Sequence, residues 1–64
     1  MVKVNGELLA IAGKTAEEYL SEANYDTARV AIECNGRIIP KAEYGKTVFL
    51  DGDSIEVVSF VGGG

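Results

Sequence analysis

Apolar and polar residues alternate over several short stretches of the chain, and turn-forming pairs separate these stretches. The first residues, Met1 to Val4, alternate and are followed by Asn5-Gly6, a pair that accepts positive φ in a tight hairpin turn. Strand-like sequence resumes over residues 7–11. This pattern predicts an opening β-hairpin. Its register stays open, because a two-residue loop and a bulged three-residue loop turn opposite faces of the second strand toward the core.

A short amphipathic helix is predicted after the hairpin. Thr15 followed three residues later by Glu18 is a capping-box pattern, in which the hydroxyl and the carboxylate each accept a hydrogen bond from an otherwise unpaired backbone N–H. We therefore expect the helix to begin at Ala16 and to end near Asn24. Its apolar stripe, with positions at i, i+3, i+4 and i+7, consists of Ala16, Tyr19, Leu20 and Ala23.

A second hairpin is predicted in the middle of the chain. Residues 30–34 alternate in polarity, and Asn35-Gly36 supplies a turn into a strand over residues 37–39. Pro40 cannot donate a ladder hydrogen bond, so that strand should end there or lie at a sheet edge. Cys34 shares the apolar face of its strand, which predicts that this thiol packs in the core.

The rest of the chain predicts a loop or helical turn and two further strands. We expect the turn from Lys41 to Gly45, a short strand from Thr47 to Leu50 and a final strand from Ser54 to Val61. The set predicts an α+β fold, a mixed sheet of four to five strands on one main helix, with the first and last strands side by side at its centre. Residues 1–61 would form the domain, and residues 62–64 a flexible C-terminal tail.

Composition argues against a conventional enzyme. A chain of 64 residues with one cysteine and no histidine has little room for a deep cleft and cannot build a Ser/His/Asp or Cys/His site or an ordinary zinc site. No glycine-rich stretch leads from a strand into a helix as a phosphate cradle would. We therefore expect a protein that is not an enzyme and binds no cofactor or metal.

Net charge and hydropathy limit the classes of partner that this chain is expected to bind. A net charge of -4 disfavours nucleic acid and favours a basic or mixed protein surface, although acidity that only maintains solubility explains it equally well. No apolar run approaches the roughly 20 residues of a membrane helix. With a single cysteine and no apolar leader, we expect a cytoplasmic protein without membrane attachment.

The end of the chain supplies the candidate functional site. Three glycines, Gly62, Gly63 and Gly64, are thin enough to thread a narrow channel and deliver the last carboxylate into another protein's active site, and a frayed terminus without function is the alternative. Alternation puts Val58 and Phe60 on one strand face beside this tail, either exposed for docking or covered by a loop. Arg37 and Lys41 would add a charged rim or simply be solvated.

Four motifs occur in a fixed order along the chain: the opening Val-Asn-Gly-Glu hairpin, the segment from Asn35 to Pro40, the Leu-Asp-Gly-Asp turn at residues 50–53 and the terminal glycines. Together they resemble the ThiS family, the sulfur carriers of thiamin biosynthesis. The resemblance implies a ubiquitin-like β-grasp fold and a functional Gly64 with Gly63 beside it.

The same resemblance implies the chemistry and the partners. A ThiF-like, E1-like adenylating enzyme would activate the carboxylate with ATP and Mg²⁺, a sulfur-donor protein would supply the sulfur of the thiocarboxylate, and a ThiG-like thiazole synthase would receive it. Close relatives of this fold serve molybdopterin or cysteine synthesis instead. A ubiquitin-like modifier that forms isopeptide bonds, and a small regulatory domain, are the alternatives from other classes.

Overall fold

A computed structural model describes residues 1–60, which form one five-stranded sheet and one α-helix. In chain order the elements are β1 (Val2–Val4), β2 (Glu7–Leu9), α1 (Ala16–Glu22), β3 (Val30–Cys34), β4 (Arg37–Ile39) and β5 (Ser54–Ser59). Single 3-10 turns lie at Thr27–Arg29 and Lys41–Glu43. Within residues 1–60, no helix is long and apolar enough to span a membrane.

The sheet is mixed, and the last strand lies in its middle. The strand order is β2-β1-β5-β3-β4, with β1 and β5 parallel and the other neighbouring strands antiparallel. The predicted central pairing of the first and last strands is therefore confirmed. β4 is an edge strand and ends at Ile39, directly before Pro40, as expected from the missing N–H of proline.

Both Asn-Gly pairs form two-residue hairpin turns. Asn5 and Gly6 have φ of 51° and 86°, and Val4 pairs with Glu7, which decides the register that the sequence left open. Leu9 then packs against the core while Leu8 points to the opposite face and is exposed. Asn35 and Gly36 repeat this geometry between β3 and β4.

The helix begins as predicted and ends slightly early. The Glu18 N–H donates to Thr15 Oγ1 at 3.1 Å and the Thr15 N–H donates to Glu18 Oε1 at 2.8 Å, so the capping box is formed. The helix ends at Glu22, and Ala23 is its C-cap. Ala23 was expected in the buried stripe but is exposed, because the helix ends before this position reaches the core.

The predicted strand over Thr47–Leu50 is wrong. These residues make one isolated bridge, between Thr15 and Val48, and no ladder. The Phe49 N–H donates to the Lys14 carbonyl, and the Phe49 carbonyl accepts from the Gly13 N–H. The residues that pair with this stretch, Gly13 to Thr15, form a turn followed by the N-cap of the helix. They are too few to extend the single bridge into a two-stranded ladder. Phe49 is nevertheless fully buried.

One apolar core lies between the sheet and the helix. Phe49 meets the ring of Tyr19 edge-on at a centroid distance of 6.1 Å, so this loop residue packs against the helix within the core. The buried apolar side chains are Val2, Val4, Ile11, Ala16, Tyr19, Leu20, Val30, Ile32, Ile39, Tyr44, Phe49, Ile55 and Val57. The alternate positions of β5 therefore point away from the core.

Asparagine side chains hold β5 on both sides. Beyond the end of β1, the Asn5 side chain accepts from the Val57 N–H at 2.9 Å and donates to the Val57 carbonyl at 3.2 Å. The Asn35 side chain accepts from the Ser54 N–H at 2.9 Å and donates to Asp53 Oδ1 at 3.0 Å. These contacts fix the strand that leads toward the C-terminal residues.

Candidate functional site

The sheet face opposite the helix, here called the outer face, carries the two apolar side chains singled out on the final strand. Val58 and Phe60 are 54% and 58% exposed, so no loop among residues 1–60 covers them. Ile55 and Val57, on the other face of β5, are buried. The alternation along β5 thus places an apolar surface where the sequence predicted one. Its role in docking stays a prediction.

The register of β3 adds further residues to the same surface. Ala31 lies directly opposite Val58, and Glu33 lies opposite both Ile38 on β4 and Glu56 on β5. Ile38 is 65% exposed, the largest exposed fraction among the large apolar side chains of residues 1–60. We call the set Ala31, Ile38, Val58 and Phe60 the outer patch.

Sequence reasoning missed Ile38 as a surface residue. The signal was available in the pair Ile38-Ile39, because two neighbouring residues of an edge strand point to opposite faces and only one of them can enter the core. The pairing of Glu33 with Glu56 had no such signal, since it depends on how β3 and β5 align.

Arg37 and Lys41 do not join Val58 and Phe60. Arg37 lies opposite Cys34, level with Ile55, so it is about 16 Å along the sheet from Phe60 at roughly 3.3 Å per residue. It lines a groove of about 440 Å³ with Cys34, Val48 and Asp53 among others. The expected charged rim is therefore not formed by Arg37.

Lys41 lies on the side of the sheet that carries the helix. Its Nζ donates to the Ala28 carbonyl at 2.7 Å, and it lines a groove with Glu17 and Tyr44. The nearest cation to Phe60 along the strand pairing is instead Arg29, whose carbonyl accepts from the Phe60 N–H at 2.7 Å. The Arg29 side chain forms an ion pair with Asp26 at 3.6 Å.

Cys34 packs against the core, as predicted, but it is only partly buried. Its Sγ donates to Asp53 Oδ2 at 3.9 Å. Burial raises the pKa of the Cys34 thiol, and the nearby Asp53 carboxylate raises it further. The thiol is therefore a weak nucleophile near neutral pH, which suits a packing role.

The described residues offer no other obvious reactive group. In residues 1–60, no cluster of three or more cysteine, aspartate or glutamate side chains is arranged to hold a metal ion. The pKa of Glu18 is lowered, first by the hydrogen bond from the Thr15 backbone N–H and then by the Thr15 hydroxyl, which reflects the helix cap. Among residues 1–60, the outer patch is therefore the candidate functional feature, as a surface for binding another protein.

The predicted reactive end lies beyond the part of the chain that the structure describes. Gly62 and Gly63, predicted to thread a channel, and Gly64, predicted to carry the adenylate and thiocarboxylate, are outside residues 1–60. The same holds for the predicted boundary between residues 1–61 and residues 62–64. The hydrogen bond from the Phe60 N–H extends the β3–β5 pairing to the last described residue.

Comparison with known proteins gives one consistent family. The model of the ThiS family matches residues 2–64. The sulfur carrier protein ThiS of Thermus thermophilus is 36% identical over 64 residues, and the match covers 100% of both chains. A thiazole synthase of Paramagnetospirillum magneticum is 42% identical over 62 residues, which is 95% of this chain and 19% of that protein. The chain thus spans about a fifth of the length of the thiazole synthases that it matches.

Solved structures share the fold. The crystal structure of the thiamine biosynthesis protein (ThiS) from Geobacter metallireducens matches with a TM-score of 0.78 and 28% identity, over 98% of this chain and 97% of that one. The solution structure of a thiamine biosynthesis protein from the same organism matches with a TM-score of 0.75 and 30% identity, over 98% and 86%. The expected ubiquitin-like β-grasp fold is confirmed.

Proposed function

Because this chain belongs to the ThiS family, the sulfur carriers of thiamin biosynthesis, we propose that Gly64 carries the sulfur as a C-terminal thiocarboxylate. The observation that carries this proposal is the family match, which runs through residue 64 and so includes all three glycines. In this account the folded domain presents the reacting group to other proteins and supplies none of the catalytic side chains.

Activation would follow the ordinary chemistry of a carboxylate, which is a poor electrophile until it gains a good leaving group. A Gly64 carboxylate oxygen attacks the α-phosphorus of ATP, an O–P bond forms, and pyrophosphate leaves. The adenylating partner, a ThiF-like enzyme, binds ATP and Mg²⁺, and Mg²⁺ neutralises charge on the phosphates. The product is an acyl adenylate on Gly64.

Sulfur transfer would then replace AMP. A hydrosulfide equivalent from a sulfur-donor protein attacks the Gly64 carbonyl carbon, a C–S bond forms, and AMP leaves with the oxygen that the carboxylate had contributed. A proton is released and a thiocarboxylate remains. Its sulfur is a good nucleophile, suited to transfer in thiazole formation. The glycines before it allow close approach because they have no side chains to collide with a channel wall.

Docking would use the outer patch. Val58 and Phe60 are exposed near the point where the described chain ends, so a partner that covers them also stands close to the residues leading to Gly64. Exposed contiguous apolar side chains commonly mark protein interfaces. Arg37 and Lys41, which lie elsewhere on the molecule, would contact a partner only if it extends around the sheet.

Thiazole synthase is the proposed acceptor partner. The relatives of Paramagnetospirillum magneticum and Magnetococcus marinus that carry this name match 95% and 98% of this chain within about a fifth of their own length. A region similar to this chain therefore occurs within proteins named for that activity. This supports a ThiG-like partner for the present chain.

The direct test of activation is ATP–pyrophosphate exchange with a ThiF-like enzyme. The native chain should support exchange, whereas a variant lacking Gly64 and a variant with one alanine appended after it should not. Both variants should unfold at the same temperature as the native chain, because terminal glycines add no side chain to the core. Exchange by the truncated variant at the native rate would refute Gly64 as the activated residue.

A further inference from the structure

The edge strand β4 does not reach the beginning of β3. β4 ends at Ile39, which pairs with Ile32, so the backbone before Ile32 has no β4 residue beside it. On its other side the same backbone faces the end of β5, where Val30 pairs with Ser59. The segment 28–30 is therefore bordered by a strand on one side only.

Two side chains from the turn after β4 bind the backbone of this segment. The Lys41 Nζ donates to the Ala28 carbonyl at 2.7 Å, and the Tyr44 hydroxyl donates to the Val30 carbonyl at 3.4 Å. The first is a short hydrogen bond from a charged donor, whereas the second is long and weaker. The two acceptors lie on either side of Arg29 in the chain.

The carbonyl between these two acceptors binds the end of β5. The Arg29 carbonyl accepts from the Phe60 N–H at 2.7 Å. In a complete antiparallel pair the Arg29 N–H would donate in return, but it donates to the Asp26 carbonyl at 2.9 Å within the 3-10 turn. Within residues 1–60, this pair therefore has one backbone hydrogen bond, and its acceptor belongs to the segment that Lys41 and Tyr44 hold.

The position of Phe60 limits where the proposed reacting group can be. Gly64 follows Phe60 by four residues. An extended residue spans at most about 3.6 Å, so Gly64 lies within about 14 Å of Phe60. Release of Phe60 from Arg29 would lengthen the unpaired part of the chain and enlarge the volume open to the Gly64 carboxylate. A carboxylate that is more often out of place in an active site reacts more slowly.

We propose that Lys41 is a positioning residue for the reaction at Gly64. Its ammonium holds the segment 28–30, with a smaller contribution from the Tyr44 hydroxyl, and this segment anchors Phe60. The anchor fixes the point from which the residues after Phe60 extend into the active site of the adenylating enzyme. This inference rests on the proposed function, because it takes Gly64 as the activated residue.

The first test is the exchange rate of the Phe60 amide hydrogen with water, measured by NMR in the full chain. Lys41→Met keeps the aliphatic stem and removes the ammonium. It should speed this amide exchange about threefold to tenfold, the range expected on losing one hydrogen bond. Tyr44→Phe keeps the buried ring and changes no charge, and it should speed the same exchange by about twofold, because its hydrogen bond is long.

Lys46→Met is the matched control for Lys41→Met. Lys46 lines the same groove as Lys41, and the lysine ammonium groups that form hydrogen bonds within residues 1–60 are those of Lys14 and Lys41. The control therefore removes an equal charge without touching the segment 28–30. It should change the Phe60 amide exchange rate by less than about twofold.

The second test separates positioning from docking and from folding. In ATP–pyrophosphate exchange with the adenylating enzyme, Lys41→Met should lower kcat about threefold or more, because bound chains present the carboxylate in place less often. The KM for the chain should stay within about twofold of the native value. A lysine that contacts the enzyme would raise KM instead. The unfolding temperature of Lys41→Met should equal that of Lys46→Met.

Three results would overturn the inference: equal Phe60 amide exchange rates in Lys41→Met and the native chain, a change in KM without a change in kcat, or equal kcat values for Lys41→Met and Lys46→Met. Each of these leaves the proposed function intact, provided that the native chain supports ATP–pyrophosphate exchange. Failure of the native chain in that assay would refute the proposed function, and faster Phe60 amide exchange in Lys41→Met would then establish the anchor without a role in the reaction.

Discussion

The Asn5 side chain makes the hydrogen bonds to β5 that a longer β1 would make with its backbone. Substitution of Asn5 should therefore lower the stability of the fold. β1 pairs with β5 only as far as Val4 and Ile55, and the last backbone bond joins the Asn5 N–H to the Ile55 carbonyl at 2.9 Å. Beyond it, the Asn5 side chain forms two hydrogen bonds with the backbone of Val57, a buried residue. Without the amide, the Val57 N–H and carbonyl lose these partners.

The expected loss in free energy of unfolding follows from the two hydrogen bonds and from the backbone conformation of Asn5. Each hydrogen bond contributes about 0.5–1.5 kcal/mol net, so Asn5→Gly should lower the free energy of unfolding by about 1–3 kcal/mol. Glycine adopts the Asn5 φ of 51° without strain. Alanine does not, and Asn5→Ala should lose about 1 kcal/mol more.

The assay is equilibrium urea unfolding, with the variants compared at a common m-value. Asn24→Gly is the matched control, because Asn24 also has a positive φ, 62°, but its side chain forms no hydrogen bond within residues 1–60. Asn24→Gly should change the free energy of unfolding by less than about 0.5 kcal/mol. Equal stability of Asn5→Gly and Asn24→Gly would refute the role assigned to the Asn5 amide.

Three further predictions concern the core, the helix cap and the thiol. Phe49→Ala should cost about 3–5 kcal/mol in urea unfolding, since the ring is fully buried, and a loss below about 1 kcal/mol would contradict the packing described. The pKa of Glu18 is lowered in the fold, so its contribution to stability is present above its ordinary pKa and is lost as the pH falls through the lowered value. The acid loss of stability should therefore be smaller in Glu18→Gln, measured by unfolding across that pH range, and identical pH profiles would exclude the effect. The raised pKa of Cys34 predicts slower alkylation by iodoacetamide at neutral pH in the folded chain than in the urea-unfolded chain, and equal rates by mass spectrometry would argue against a shielded thiol.

The locally determined features of the fold could be predicted from the sequence. The Asn-Gly turns and the Thr15–Glu18 capping box depend on residues within a few positions of each other, and both form as expected. Thr47–Leu50 and Ala23 could not be assigned in this way. The first needs a strand partner that the fold does not provide, and the second depends on where the helix ends.

In the candidate site, too, the locally determined residues could be predicted and those that depend on strand alignment could not. Alternation along β5 was enough to put Val58 and Phe60 on one face, because that pattern is local. Ile38 could have been placed on this face from the adjacent pair Ile38-Ile39. The pairing of Glu33 with Glu56 depends on how two separate strands align and has no signal in the linear chain. The role of Gly64 still rests on the family and on its position in the sequence.

Intact-protein mass spectrometry tests the central claim most directly. The native-ended chain is incubated with ATP, Mg²⁺, a ThiF-like enzyme and a sulfur donor, beside the variant lacking Gly64. We expect an adenylate on the native chain, followed by replacement of one oxygen by sulfur at the C-terminal residue, and neither product on the variant. Both products on the variant, or neither on the native chain with an enzyme that activates another carrier of this family, would contradict the claim.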